Sequence, residues 1–339
     1  MKILKFDDFK NNKYGVKPIT KSTRGNLKKS SAGDITKQFI EDNNLVLNKS
    51  TNRYDCNGNV YVSQDIVADG KLTIKFGKVG GAFCCADNEL TTLEGAPYEV
   101  GRYFDCSNNL LTTLEGAPKK VGGGFYCENN KLTTLEGVPQ KIEEDFCCSQ
   151  NNLTSLKGAP IYVSSDFSCS DNKLTTLEGA PQKVGRKFYC SYNDLTSLKG
   201  APQEVGGKFD CSHNKLVTLE GAPSIVGDVF LCNDNKLITL EGAPQEVSGD
   251  FDCSRNELTT LEGAPQEVGG DFHCYLNNLT TLEGSPKKVG GGFYCENNKH
   301  MISLDGAPQE VGGTFCCLYN PKLVLPKEKP SWIKGNFLK

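Results

Sequence analysis

Sixteen cysteines stand among the 339 residues, and thiols are the chain's most obvious chemical resource. Three chemistries are open to them: disulfide formation, metal binding and redox exchange. Spacing argues against each. No C-x-x-C occurs, and no Cys/His cluster has the spacing of a zinc site. At about 5% of residues, the cysteines fall below the roughly 8–10% of stapled secreted scaffolds. Met1–Phe9 breaks its apolar residues with four charges, so it does not read as the apolar stretch of a secretory signal. The other reactive residues are sparse. There are three histidines, His213, His273 and His300, and no G-x-S-x-G, P-loop or H-E-x-x-H pattern. No enzyme, metal or cofactor is expected.

Twelve of the cysteines form a ladder: Cys85, Cys106, Cys127, Cys148, Cys169, Cys190, Cys211, Cys232, Cys253, Cys274, Cys295 and Cys317. Every step is 21 residues except the last, which is 22. A fixed period of this size is the signature of a solenoid, in which each coil needs its neighbours to bury an apolar face. One unit reads F-x-C-S-x-N-x-L-T-T-L-E-G-A-P-x-x-V-G-G-x. Eleven full units are followed by a twelfth strand at Thr314–Cys317. Phe recurs from Phe83 to Phe315 and Asn from Asn88 to Asn320, twelve times each. The Gly and Pro of the corner recur eleven times, from Gly95/Pro97 to Gly306/Pro308.

The spacing predicts what each position does. Phe and Cys, two apart on a strand, face one side, and that side is the interior. The Leu pair and the Val fill the rest of the core. Asn follows the strand and is expected to bond backbone of its own and neighbouring coils. Gly and Pro make the second corner. The ladder cysteines are then buried free thiols, since unpaired Cys is among the most buried residue types. Cys84, Cys147 and Cys316 lie between Phe and the ladder Cys, so they are expected to face out and to be the more reactive. A Glu nine residues after each ladder Cys forms a stripe, interrupted by Lys157, Lys199 and Asp305. It could hold a cation or a basic partner, but the plainer reading is a solvated stripe.

These motifs resemble leucine-rich repeats. F-x-C-x-x-N-x-L-x-x-L matches the family's L-x-L-x-x-N-x-L-x-x-L core, with Phe and Cys for the strand leucines. The short period, with Pro and no helical segment, is similar to the short bacterial type. The wording L-E-G-A-P-x-x-V-G-G-x-F-x-C-S-x-N is closer still to repeat proteins of tailed bacteriophages. The resemblance covers about residues 80–325. It implies a β-rich solenoid: a horseshoe with a parallel sheet on its concave face and a largely non-helical convex side. One departure is a Gly where the family has its first strand Leu, with Val one place earlier. This leaves the strand start and the curvature open.

The ends break the pattern. Residues 1–33 carry a net +7, leaving −10 for the rest of a chain whose total is −3. They read as a flexible basic arm, either a tether or simply a solvated tail. Residues 34–80 read as an N-terminal cap. It would contain a short helix from Asp34, as N-cap, to Glu41, a hairpin turning at Asn57-Gly58, and a strand at Leu72–Phe76. Residues 81–317 are the solenoid, and residues 318–339 a C-terminal cap marked by Pro321, Pro326, Pro330 and Trp332.

Function is expected where the repeat varies. Residues flanking Phe and Cys should face outward on the sheet. The candidates there are Tyr103, Asp105, Tyr126, Glu128, Asp166, Lys187, Tyr189, Lys208, Asp210, Val229, Leu231, Asp252, His273 and Tyr294. Just beyond the Cys come Tyr192, His213, Arg255, Tyr275 and Tyr319. Tyr and Arg make interface hot spots, and an extended sheet is the usual binding surface of a solenoid. The plain alternative is drift at solvated positions. The expected function is a non-catalytic module that binds a protein of phage or host in the host cytoplasm. The alternative is a structural virion or assembly component tethered by its basic arm. A membrane partner is not expected. Nucleic acid would bind at most weakly, through the arm, because the solenoid is acidic.

Overall fold

The computed structural model describes residues 32–339, so the arm at 1–33 lies almost wholly outside the described residues. The chain from residue 60 onward winds into a parallel β-solenoid. Each coil contributes one two-residue strand to a sheet of fourteen, here called the long sheet. Its parallel strands pair in exact repeat phase: Phe104 with Phe125, Phe125 with Phe146, and so on to Phe293 with Phe315. A second short strand, x-Val or x-Ile, precedes the next corner of each coil and builds side sheets of five, five and four strands, the first of which begins with Val46–Asn48 and Arg53–Cys56.

Period-two alternation drives the Phe and Cys inward. The phenylalanines from Phe83 to Phe315 form one buried column, with successive ring centroids 5.1–5.9 Å apart. Burying such a ring contributes about 2–3 kcal/mol. The column ends on rings turned edge-on. Phe76 meets Phe83 at 69°, and Trp332 meets Phe315 at 81°. Beside the column run the ladder cysteines and the leucine and valine rows, buried except at the C-terminal end, where Leu304 and Leu323 are partly covered. The asparagines bridge coils. Asn109 donates through Nδ2 to the carbonyls of Cys85, Cys106 and Ser107 at 2.9–3.1 Å, and its Oδ1 accepts the Leu90 N–H at 2.8 Å.

The corner glycine after Val stacks so closely on the preceding coil that a Cβ there would run into its carbonyl oxygen, as at Gly206 over Gly185. Three coils between Cys85 and Cys317 replace it, with Glu143, Ser164 and Ser248. The side sheet breaks at two of them, between Val121 and Ile142 and between Val226 and Val247. Ser164 follows the first break and keeps its bond to the Ile142 carbonyl.

The N-terminal region differs from expectation. Helix α1 spans Ala32–Asp42, starting two residues early, so Asp34 sits in its first turn and is not the N-cap. It ends on Asn43, whose side chain bonds the Phe39 carbonyl, and on Asn44 at φ 50°. Asn57-Gly58 does not turn a hairpin, because neither residue has the positive φ that a two-residue hairpin turn demands. Instead β1 (Val46–Asn48) pairs antiparallel with β2 (Arg53–Cys56). The chain then passes through Asn57-Gly58-Asn59 as a coil corner into β3 (Val60–Tyr61), the first strand of the long sheet. The tight turn is Asp69-Gly70, at φ 50° and 71°, between Val67–Ala68 and Lys71–Leu72. The expected strand at Leu72–Phe76 is split, and its second half runs Phe76–Val79.

The C-terminal segment also holds a surprise. After the proline-rich stretch, Ile333 bridges to Val311, and Phe337–Leu338 pairs with Phe315–Cys316. Ile333-Lys334-Gly335-Asn336-Phe337 therefore repeats V-G-G-x-F, and Lys339 occupies the place of the next ladder cysteine. Among the described residues no helix is long and apolar enough to cross a membrane.

Candidate functional site

The outer face of the long sheet displays the variable side chains in rows, one per coil. The structure separates the sequence candidates into two groups. Tyr103, Lys187, Tyr189, Lys208, His213, Val229, Leu231, Asp252, His273, Tyr275 and Tyr294 are half-buried, and Tyr192, Arg255 and Tyr319 are exposed. By contrast Asp105, Tyr126, Glu128, Asp166 and Asp210 are buried, although they point outward. The correction has a physical cause. Parallel strands lie roughly 4.8 Å apart, so neighbouring side chains close over a short one.

Three of the aspartates, moreover, fold back on their own strand. Asp105 accepts the N–H and hydroxyl of Ser107 at 3.0 and 2.6 Å. Asp210 does the same with Ser212 at 3.1 and 2.6 Å. Asp252 accepts the Ser254 N–H at 2.9 Å. The tripeptide Asp-Cys-Ser, present in all three, was the available signal. Tyr126 and Tyr294 lie back over Gly124 and Gly292, where a Cβ would meet their rings. Another row, just before Phe, links coils through carboxylates. Asp145 accepts the Asp166 N–H at 3.2 Å and Asp166 that of Lys187 at 3.1 Å; Asp250 accepts the Asp271 N–H at 2.8 Å. Burial, reinforced by neighbouring Asp145, holds the Asp166 carboxyl above the usual carboxylate range.

The remaining candidates meet in groups. The Lys208 ammonium stands 5.4 Å over the Tyr189 ring and 3.1 Å from Asp210. Tyr192 stacks on His213 at 4.2 Å, and His213 reaches Asp234 at 3.6 Å. His273 stacks on Tyr294 at 4.7 Å, with Tyr275 edge-on at 6.0 Å. Tyr103 meets Tyr126 edge-on at 6.3 Å. Val229 and Leu231 sit between the Lys208 and Asp250 coils, while Tyr319 stands apart at 73% exposure.

Sequence reasoning missed the backbone under the row just before each Asn. In every coil that residue is left-handed, including Tyr192, His213, Arg255, Leu276 and Tyr319 at φ 53–59°. Asn, Asp and Gly adopt this conformation readily, and other residues pay about 1 kcal/mol. The bulky side chains in this row are therefore held at some expense to stability.

None of the sixteen cysteines forms a disulfide. Ladder thiols donate to the next coil, as from Cys127 to the Cys147 carbonyl at 3.3 Å and from Cys190 to Asp210 at 3.3 Å. Burial pushes them well above the ordinary thiol range. Cys147 and Cys316 are buried as well, contrary to the expectation that they would be exposed and reactive, because neighbouring strands cover them. Burial pushes Cys316 up to about 12. Only Cys84 is not buried. In the native protein at neutral pH, maleimide should modify Cys84 and leave the other fifteen thiols intact, and denaturant should expose all sixteen. Mass spectrometry reads both numbers. Several modified ladder cysteines in the native state, or missing thiols in denaturant, would contradict the buried-thiol reading.

The glutamate stripe is relieved at its lysine exceptions. Lys157 and Lys199 pair with Glu136 and Glu178 of the preceding coils at 3.9 and 3.3 Å. Among the described residues no group of three or more His, Cys, Asp or Glu is placed to hold a metal ion.

No family model and no curated protein sequence matches the chain. Among solved structures it is similar to the functional domain of InlJ from Listeria monocytogenes, described as including a cysteine ladder. Identity is 18%, the match covers 72% of this chain and 63% of that one, and the TM-score is 0.39. The chain thus spans less than two-thirds of that protein's length. The fold rests on the strand register and the Phe, Cys and Asn ladders, not on this likeness. Its strand, asparagine turn and helix-free return are the layout that the leucine-rich-repeat motifs implied.

Proposed function

We propose that the chain is a non-catalytic protein-binding module that presents the outer face of its long sheet to a protein partner. One observation carries this reading. Interior positions hardly vary along the solenoid, while the outer face gathers Tyr189 with Lys208 as a cation–aromatic pair, and Tyr192 with His213 and His273 with Tyr294 as stacked rings. Such groups, partly desolvated and rigidly mounted, suit hot spots. The similarity of the repeat wording to phage proteins makes a protein of a bacterial host the partner we favour, met in the host cytoplasm. Residues 34–80 and 318–339 would close the two ends of the solenoid.

The test is capture from bacterial lysate by the intact chain and by a variant with Tyr189, Tyr192 and Tyr294 changed to Ser. Tyr126 is left alone, since its ring is buried. The variant should lose the captured protein while keeping one cooperative unfolding transition. Equal capture by both would defeat the reading.

A further inference from the structure

Asn57-Gly58 forms the first corner of the solenoid, and its position leaves it short of bonds. The corners that follow donate back to the coil before them: Gly81 N–H to the Gly58 carbonyl at 3.0 Å, Arg102 to Gly81 at 3.0 Å and Gly123 to Arg102 at 2.8 Å. No coil precedes Asn57-Gly58. Among the described residues, the peptide joining these two makes no hydrogen bond through its N–H or its carbonyl, and the Asn57 side-chain amide makes none either. Both residues are exposed. They line an open hollow of about 590 Å³ together with Asp42, Asn43 and Asp55. A Cβ on Gly58 would meet nothing nearer than Cys56 Sγ at 4.0 Å, so water reaches the glycine.

An asparagine side chain can close a ring on the next backbone nitrogen. Glycine hinders this least, because it has no Cβ to shield that nitrogen. A folded chain ordinarily protects such a pair by holding the nitrogen in a hydrogen bond. This corner lacks that protection.

We propose that Asn57 is a site of spontaneous deamidation in the folded protein. The Gly58 nitrogen gives up its proton to solvent and attacks Asn57 Cγ. A C–N bond forms, the Cγ–Nδ2 bond breaks, and ammonia leaves after taking up a proton. Water then opens the cyclic imide at either carbonyl. One opening gives aspartate, and the other gives isoaspartate, in which the main chain runs through Cβ and Cγ. The net change consumes one water and releases one ammonia. The product matters to the fold, because the next coil stacks directly on this corner. A Cβ on Gly80 would lie 2.7 Å from the Asn57 carbonyl oxygen, and one on Gly81 would lie 2.7 Å from the Gly58 carbonyl. The extra main-chain carbon of isoaspartate disturbs that stacking. Either product also sets a new carboxylate in the hollow beside Asp42 and Asp55. The N-terminal region thus loosens as the protein ages.

The intact chain is incubated at mildly alkaline pH, folded and in denaturant, and its peptides are weighed over time. Chromatography separates isoaspartate from aspartate. Folded Asn57 should convert within about tenfold of the unfolded rate, since a peptide without hydrogen bonds opens at little cost. The ladder asparagines Asn109 and Asn151 should remain amides while the chain is folded. Gly58→Ala is tolerated by the backbone, as Gly58 does not have positive φ. It should slow conversion of folded Asn57 about tenfold by shielding the nitrogen. A folded rate more than about tenfold below the unfolded one overturns the proposal, because the corner would then be protected. Equal conversion in folded Gly58→Ala also overturns it. Partner capture plays no part in either readout.

Discussion

Asn151→Ala should destabilise the solenoid by about 4 kcal/mol, read as a lower midpoint in denaturant. The side chain is buried and connects two coils, its own and the preceding one. Its Nδ2 donates to the carbonyls of Cys127, Cys148 and Ser149, each at 3.1 Å, and its Oδ1 accepts the Leu132 N–H at 2.9 Å. Alanine orphans the buried Leu132 N–H and takes one of two donors from each carbonyl, since Cys127 keeps Asn130 Nδ2, Cys148 keeps Asn172 Nδ2 and Ser149 keeps the Asn129 N–H. The orphaned donor costs about 1–3 kcal/mol, and each lost bond to a carbonyl adds about 0.5–1.5 kcal/mol, with partial relaxation keeping the total below the sum. Asn151→Asp supplies the decisive control. It has the same shape, but an oxygen would face three carbonyls where Nδ2 now donates. It should be no better than alanine. Asn152→Ala, one residue along, should cost under about 1 kcal/mol, because that side chain makes none of these bonds. A small effect at Asn151, or a benign Asn151→Asp, would show that the ladder is decoration and that apolar packing alone holds the coils.

The same ladder explains what could be read from the sequence. Asn151, Phe146 and Cys148 have their roles fixed by offsets within one coil, and every coil repeats those offsets. A period of 21 therefore states the interior many times over. The outer face obeys a different rule. Direction was legible there, since alternation points Asp105 and Tyr126 outward. Burial was not, because it depends on what the neighbouring strands carry: Tyr126 is covered because residue 124 is Gly and lets the ring lie down. Asp210 looked like an available charge, yet its carboxylate is spent on Ser212. Backbone handedness was hidden for a related reason. Tyr192, His213 and Arg255 disguise a left-handed position that Asn108 and Asn129 display openly. At the C-terminal end the intervening prolines and Lys339 in the cysteine place masked one more turn of the same repeat. At Asn57-Gly58 a strong local turn signal lost to the corner that the coil requires.

Phe188→Ala should cost about 3–5 kcal/mol, and its effect should depend on where along the column the ring is removed. Phe188 is fully buried. Its ring centroid lies 5.1 Å from that of Phe167, at 4° between planes, and 5.6 Å from that of Phe209, at 9°. Truncation leaves a cavity that neither neighbour can fill, since each is already held against the next ring by strand pairing. In a solenoid each coil is stabilised mainly by its two neighbours. A hole in the middle therefore weakens two interfaces at once and uncouples the coils before it from those after it. The native chain should melt in one cooperative step, and in Phe188→Ala that melt should split into two transitions, or broaden with a reduced m-value. Phe83→Ala, near one end, should lower stability by a similar local amount. It should keep a single main transition, because few coils lie beyond it. Calorimetry on the two variants separates the outcomes. If Phe188→Ala melts in one step with an unchanged m-value, the column is a single cooperative unit and the nearest-neighbour description of this solenoid is wrong.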